Sequence, residues 1–426
     1  MGAVKKPDFK NISEGDRVQV HCGKREYVGI VMPSRSDRLV LKLDNGYNVG
    51  LETVTITGIE VFKKDENTTT PAKKVTCQDD DLPGVTILST GGTIASRVDY
   101  RTGAVTSQFD AEDILAAIPE LAEIACYDAR VLYTILSENM TPEHWVDIAR
   151  AAHEAIQGGS QGVIITHGTD TMQYTGAALA FMLRTPVPVV MVGSQRSADR
   201  PSSDNADNGI CAALVATGDI AEVVLVMHEG TSDGRCAVHR AVKARKMHTS
   251  ARYAFKSINA EPLAYAYPRK RKVEFNSSYW EKDEVRLRGE VELELTDSLE
   301  TRCSLVKYYP GMSSQILEYL VDNGTKGIII EGTGLGHVTS EWIPAVKELD
   351  VPVVMTSQCI YGRVCDRVYD TGVDLLRAGV IEGEDMTAEV ALVKLMWALG
   401  QTKDYENVRR LMTDNLVGEI NTRTRS

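Results

Sequence analysis

The sequence predicts an α/β protein with mostly parallel sheets, preceded by a small antiparallel β-barrel, and three observations point that way. From Gly15 to Phe62 the chain runs in short β-rich pieces, VQVHC, YVGIVM, RLVLKL and VTITGIEVF, separated by turn signals such as Asp44-Asn45-Gly46. After Gly84, short Val/Ile runs alternate with amphipathic helical stretches, the pattern of strands laid parallel and covered on both faces. Between these regions KKDENTTTPAKKVTCQDDDLP is polar, aperiodic and of mixed charge, which reads as a linker.

Barrel and linker together take residues 1–76. In the first α/β block, residues 84–268, VTILS leads to DAEDILAAI, RVLYTIL leads to a helix from Thr141, and GVIIT and VPVVMVG supply further strands. The helix after Thr141 carries its own boundaries. Thr141 is a good N-cap, Pro142 lacks an N–H that the first turn would leave unpaired, and Gly158-Gly159 ends the last turn. Residues 269–300 break the alternation with charge, RKRKVEFNSSYWEKDEVRLRGEVELELTD, and read as a connector. A second α/β block fills 301–426, with strands expected near Lys326 to Glu331 and Val351 to Thr356.

Composition narrows the classes of function. The chain has 426 residues, 43% of them hydrophobic, enough for two or three cores. Its 59 Asp and Glu outnumber 47 Lys and Arg, so no overall field draws it to nucleic acid. The start, MGAVKKPDFKN, lacks the apolar core of a signal peptide, and the most apolar stretch, Ala177 to Val192, is broken by Arg184, Pro186 and Pro188. Eight cysteines without a C-x-x-C pair fit free thiols in a reducing cytoplasm. No H-E-x-x-H or Cys/His cluster suggests a metal, and no G-x-x-x-x-G-K-[ST] loop suggests a nucleotide.

Chemistry concentrates in two Gly-rich threonine motifs at the ends of predicted parallel strands: Ser89-Thr90-Gly91-Gly92-Thr93-Ile94-Ala95-Ser96 and Thr166-His167-Gly168-Thr169-Asp170-Thr171. Ligands of open α/β sheets bind at the carboxyl ends of strands, so both motifs face one crevice. Gly92 and Gly168 let backbone N–H groups approach a carboxylate or a developing oxyanion. A threonine hydroxyl needs a base or proton relay beside it to act as a nucleophile, and Asp170 with a lysine offers one. Either turn alone is structural more often than catalytic; the pair carries the inference.

STGGTIAS, HGTDT, VGSQR and AFKSINAEPLAYA occur in the order and at the spacing of bacterial-type asparaginases, a family this chain resembles from residue 84 to about 410. The resemblance implies an asparaginase-like two-domain fold. It places the family's nucleophile on Thr93, its second threonine and aspartate on Thr169 and Asp170, and its lysine on Lys246. It also places the carboxylate-gripping serine on Ser137, with Glu138 beside it. The family's mobile-loop tyrosine has two candidate positions in SRVDYRTGAVTSQF: the loop offers Tyr100, while simple register falls on Ala104.

The N-terminal barrel, the DYRTGAV loop, the GTGLGHV turn and the insertion between blocks are similar to the asparaginase-like components of archaeal tRNA-dependent amidotransferases. That similarity implies release of ammonia from glutamine or asparagine. The ammonia would pass to a partner, the amidotransferase E subunit, which binds Glu-tRNA(Gln) and activates its glutamate with ATP and Mg to make Gln-tRNA(Gln). It further implies a homodimer core within a heterotetramer and no cofactor in this chain. The competing expectation is a free-standing asparaginase or glutaminase of amino-acid catabolism.

Simpler roles compete at several positions. Lys246 sits in a basic run, VKARKMH, where lysines are usually solvated, and Lys243 is one turn away. A histidine at a strand end, as at His167, is more often a packing residue than a base. Gly332-Thr333-Gly334-Leu335-Gly336 lacks dinucleotide-fingerprint spacing and reads as a tight turn. The run Arg269 to Lys272 reads first as solvated surface, and only second as a contact for tRNA or a partner.

Overall fold

The computed structural model describes residues 12, 16–23, 25–32, 34, 38–43, 48–61, 81–92, 96–98, 105–107, 118–197, 202–280, 285–365 and 367–423. The N-terminal unit is a five-stranded antiparallel sheet of Arg17–Cys22, Arg25–Met32, Arg38–Leu43, Asn48–Glu52 and Gly58–Val61. Alternate residues of the first strand, Val18 and Val20, are buried against Val31, Leu41, Leu51 and Ile56, while Arg17 stays exposed. The first strand pairs on one side with the second and on the other with the fifth. Among the described residues no ladder joins Asn48–Glu52 to Gly58–Val61.

The first α/β unit is built on an eight-stranded sheet. Its strands Cys126–Ile135, Gly84–Gly91, Gly162–Thr166, Val189–Val192 and Val223–His228 run parallel in that spatial order. Three antiparallel strands follow, Cys236–Arg240, Ala264–Tyr267 and Lys272–Phe275. The central parallel strands Gly162–Thr166, Val189–Val192 and Val223–His228 are buried on both faces because helices cover both: Pro142–Gln157 and Met172–Met182 on one, Asn205–Ala216 on the other. The helix start at Pro142 is as expected, and the Thr141 N–H donates to His144 Nδ1 at 3.0 Å.

Two expectations change here. The charged stretch 269–300 is more than a connector. Lys272–Phe275 completes the large sheet, Glu294–Leu295 pairs with Leu183–Arg184, and the Arg288 guanidinium donates to the carbonyl of Gly218. Its alternating Val273 and Phe275 pack on the core beside Leu263 and Ala264, a half-buried pattern that the charges mask in the sequence. Second, not every cysteine is free: Cys126 is disulfide-bonded, whereas Cys22, Cys211, Cys236, Cys303, Cys359 and Cys365 are free thiols.

The second α/β unit holds a four-stranded parallel sheet, Cys303–Lys307, Gly327–Gly332, Val353–Ser357 and Ile381–Glu382. Helices Gln315–Asp322, Trp342–Lys347 and Asp370–Arg377 border a core around Trp342 and Leu375. On the other face lies Ala388–Gln401, a helix buried nearly all round because it packs on both units. It meets Met172–Met182 of the first unit, and the Phe181 and Trp397 rings stack with centroids 6.0 Å apart. One continuous apolar core therefore spans the two α/β units.

Candidate functional site

The parallel register of Gly84–Gly91 with Gly162–Thr166 brings Ser89 opposite Thr166, so the two threonine motifs leave neighbouring strands at the same edge. The Thr90 hydroxyl donates to the Thr166 carbonyl at 2.8 Å and ties the turns together. Gly92 has φ of 88°, and a Cβ there would lie 2.5 Å from the Gly168 nitrogen. A Cβ on Gly168 would in turn meet the Ser137 side chain at 2.7 Å. These two glycines are thus required for three segments of backbone to converge, which places Gly92, Gly168 and Ser137 in direct succession.

Ser137 is buried just beyond the strand Cys126–Ile135 and its carbonyl accepts the Thr171 hydroxyl at 2.7 Å; Glu138 beside it is exposed. Thr169 and Asp170 precede the helix Met172–Met182, whose N-terminal end favours a carboxylate. The Lys246 ammonium reaches both. Its Nζ donates to Thr169 Oγ1 at 2.8 Å and to Asp170 Oδ1 at 2.6 Å. The Lys246 side chain is 10% exposed against 66% for Asp170, so the cluster faces solvent through its carboxylate. The result is a hydroxyl, an ammonium and a carboxylate in hydrogen-bonded sequence, an arrangement suited to moving a proton and to holding a zwitterionic ligand.

The two candidate lysines separate cleanly. Lys243 is buried, and its Nζ donates to Asp385 Oδ2 of the second unit at 2.8 Å; burial lowers its proton affinity below the ordinary range despite that partner. Lys246 alone of the two meets Thr169. Thr93, Tyr100 and Ala104 lie outside the described residues, so Gly92 is the last described residue of the first turn.

His167 sits in the core, not in the crevice. Its Nδ1 faces the Gly168 carbonyl at 2.7 Å and its Nε2 faces the Thr175 hydroxyl at 2.9 Å. A carbonyl only accepts, so Nδ1 carries the hydrogen and Nε2 accepts from Thr175. Burial pushes its pKa down to about 4, which keeps the ring neutral.

Gln173 escapes a reading of the sequence alone, yet its Oε1 accepts the Lys246 backbone N–H at 3.2 Å. It lies in the first turn of the helix Met172–Met182 that follows the second threonine motif, and that place is the signal that could have found it. The loop VGSQR likewise has a role only in three dimensions. There Asp204, fully buried, accepts the Ser194 hydroxyl and the backbone N–H groups of Gln195 and Arg196, which shapes the loop. Two of the four basic side chains of the run 269–272 are paired with carboxylates, Arg271 with Glu123 and Lys272 with Glu274. Among the described residues there is no metal-capable cluster of three or more His, Cys, Asp or Glu, and no helix is long and apolar enough to cross a membrane.

With this geometry in place, comparison with known proteins defines the class. Residues 84–281 match the asparaginase N-terminal domain, residues 302–412 the glutaminase/asparaginase C-terminal domain, and residues 12–62 the GatD N-terminal domain. The thermostable L-asparaginase of Thermococcus kodakarensis superposes with a TM-score of 0.70 at 33% identity, over 80% of this chain and 100% of that one. L-asparaginase I of Vibrio cholerae gives 0.68 at 29% identity, over 80% and 99%. The fold is that of the asparaginases.

Relatives that share the whole chain are more specific. The glutamyl-tRNA(Gln) amidotransferase D subunit of Archaeoglobus fulgidus is 54% identical over 96% of this chain and 95% of its own, and that of Methanosarcina barkeri is 52% identical over 96% and 98%. The chain belongs to the family of glutamyl-tRNA(Gln) amidotransferase D subunits.

Proposed function

We propose that this chain is the ammonia-generating component of a tRNA-dependent amidotransferase. It would release ammonia from glutamine or asparagine for conversion of Glu-tRNA(Gln) to Gln-tRNA(Gln). The observation that carries the proposal is the Lys246–Thr169–Asp170 cluster, set beside the Gly92–Gly168–Ser137 convergence in an asparaginase fold. The resemblance assigns the nucleophile to Thr93, which follows Gly92 in the chain. The Thr93 hydroxyl attacks the side-chain amide carbon, and N–H groups of the Gly-rich turns hold the oxygen as it gains charge. The C–N bond breaks, the nitrogen takes up the proton given up by the Thr93 hydroxyl and leaves as ammonia, and an ester to Thr93 remains. Water held by Thr169, itself fixed by Lys246, adds to that ester and its proton passes to the departing Thr93 oxygen, which frees the acid and the hydroxyl.

Asp170 holds the Lys246 ammonium and offers its exposed carboxylate to the substrate α-ammonium. Ser137 and Glu138 line the place where the α-carboxylate and its surroundings would lie, and Tyr100 is the proposed loop tyrosine. The N-terminal match at 12–62 and the full-length relatives favour coupling to a complex over free-standing catabolism. The partner in this reading is the amidotransferase E subunit, in a heterotetramer around a homodimer of this chain. The partner handles ATP, Mg and most of the tRNA, in the cytoplasm. Net charge of -12 fits indirect contact with tRNA.

The test is ammonia release from glutamine and asparagine by the chain alone and with the E subunit and glutamate-charged tRNA. The expected result is a rise in glutamine turnover when both are added. Strong turnover indifferent to either addition would instead establish the free-standing enzyme.

A further inference from the structure

The segment that delivers Lys246 is anchored in both α/β units. It comprises a single 3-10 turn, Ala241–Lys243, and a short strand, Ala244–Lys246, paired with Phe255–Ser257. So short a ladder is little to hold an ammonium in place. Three charged side chains within four residues add to it, and they diverge. Lys246 turns to Thr169 and Asp170 of the first unit. Lys243 and Arg245 reach into the second unit, to Asp385 at 2.8 Å and to Glu389 at 3.0 Å. Both carboxylates stand where the chain enters the helix Ala388–Gln401, the element that packs on both units.

Asp385 is the hub of this anchor. Its side chain is fully buried, and besides Lys243 it accepts the backbone N–H of Asn421 at 2.9 Å and the Asn421 side-chain amide at 2.6 Å. Asn421 also donates to the Asn259 carbonyl, and Asn259 donates to the carbonyls of Gly362 and Asp385. The C-terminal segment is itself locked by a fully buried pair, Lys394 with Glu419 at 2.5 Å. A buried ion pair is a weak net stabiliser, because desolvating both charges offsets most of their attraction, and a well-packed apolar pair often does as well. What it supplies here is a fixed geometry, since each charge has few satisfactory partners.

We infer that Asp385 and Glu389 of the second α/β unit are positioning residues for the Lys246 ammonium, acting through Lys243 and Arg245. This rests on Lys246 serving the proposed reaction. Neither carboxylate touches substrate in this scheme. The second unit and the C-terminal segment thereby become part of the site without lining it.

The test uses the full chain, assayed for ammonia release alone and in the amidotransferase complex. Lys243→Met with Asp385→Leu replaces the buried pair by apolar groups, and Glu389→Gln releases Arg245 separately. Misplacing a catalytic group by an ångström costs on the order of 100-fold, so the double variant should lose about 10- to 100-fold in kcat with KM little changed. Its pH–kcat profile should shift as the ammonium loses its fixed neighbours, whereas a purely structural role would lower the amount of folded protein and leave the profile alone. Glu389→Gln should lose less, about 3- to 10-fold, again in kcat. If the double variant does not fold, Glu389→Gln decides. Folded variants with the parent kcat and pH profile would overturn the inference. Lys246→Met is the control: full activity in that variant would sink the proposed mechanism itself, whereas its inactivity beside unimpaired anchor variants would sink only the positioning role.

Discussion

The two α/β units of this molecule each carry a Gly-rich threonine turn after a parallel strand, yet of the two only the first brings a lysine and an aspartate together beside its threonine. After Gly162–Thr166 in the first unit, Thr169 turns its hydroxyl to the Lys246 ammonium, and Asp170 pairs with the same nitrogen. After Gly327–Gly332 in the second unit, Thr333 uses both of its donors locally. Its backbone N–H and its hydroxyl donate to the His337 carbonyl at 2.8 and 3.0 Å, closing a tight turn. Both turns follow the carboxyl end of a parallel strand. What distinguishes them is a charged segment from elsewhere in the chain, 241–246, that reaches one turn and not the other.

Substitutions at each turn probe this contrast. Thr93→Val keeps the shape and removes the proposed nucleophilic oxygen, and ammonia release should fall by at least about 10³-fold. Retained turnover would move the nucleophile elsewhere. Gly168→Ala places a methyl 2.7 Å from Ser137, so the converging backbones must part. It should lower kcat/KM by about 100-fold, with a modest fall in Tm, and a fully active variant would show that the convergence is not needed.

A third prediction concerns pH. The folded-state pKa of His167, about 4, lies below the ordinary 6.5, so as pH falls through that window the unfolded chain takes up the proton first. Stability present above pH 6.5 is then lost towards pH 4, at about 1.4 kcal/mol per pH unit for one group. His167→Gln should flatten the fall of stability over that range, leaving the contribution of His239, which burial holds at about 3. An unchanged slope in denaturant titrations would mean that His167 is protonated in the fold. The smallest effect is expected in the second unit. Thr333→Val removes one local hydrogen bond, worth about 1 kcal/mol, and should leave ammonia release untouched. A loss of activity there would mean the two sheet edges are functionally joined.

Much of this was legible in the sequence for a simple reason. Period-two alternation around Val18 and Val20, apolar runs such as GVIIT, and the caps Thr141 and Gly158 are local signals that each segment carries alone. The strand at Lys272–Phe275 was not legible, because its edge position lets charged residues flank two half-buried ones. Nor did local pattern separate Lys243 from Lys246, which only the family resemblance singled out. Both lie in one basic run, and only the packing of the second unit decides which is neutralised by Asp385 and which is left for Thr169.

Short stretches of the chain were enough to set the α/β plan, the two Gly-rich turns and the residue types that meet there, since backbone preference and hydrophobic period are properties of short windows. Long-range packing settled the rest: that Gly92 lies on Gly168, that His167 is a neutral core residue, and that Lys243 pairs with Asp385 of the second unit while Lys246 meets Thr169. Those facts depend on contacts between residues as far apart as Lys243 and Asp385, and on burial that raises the cost of a charge. No local pattern encodes either.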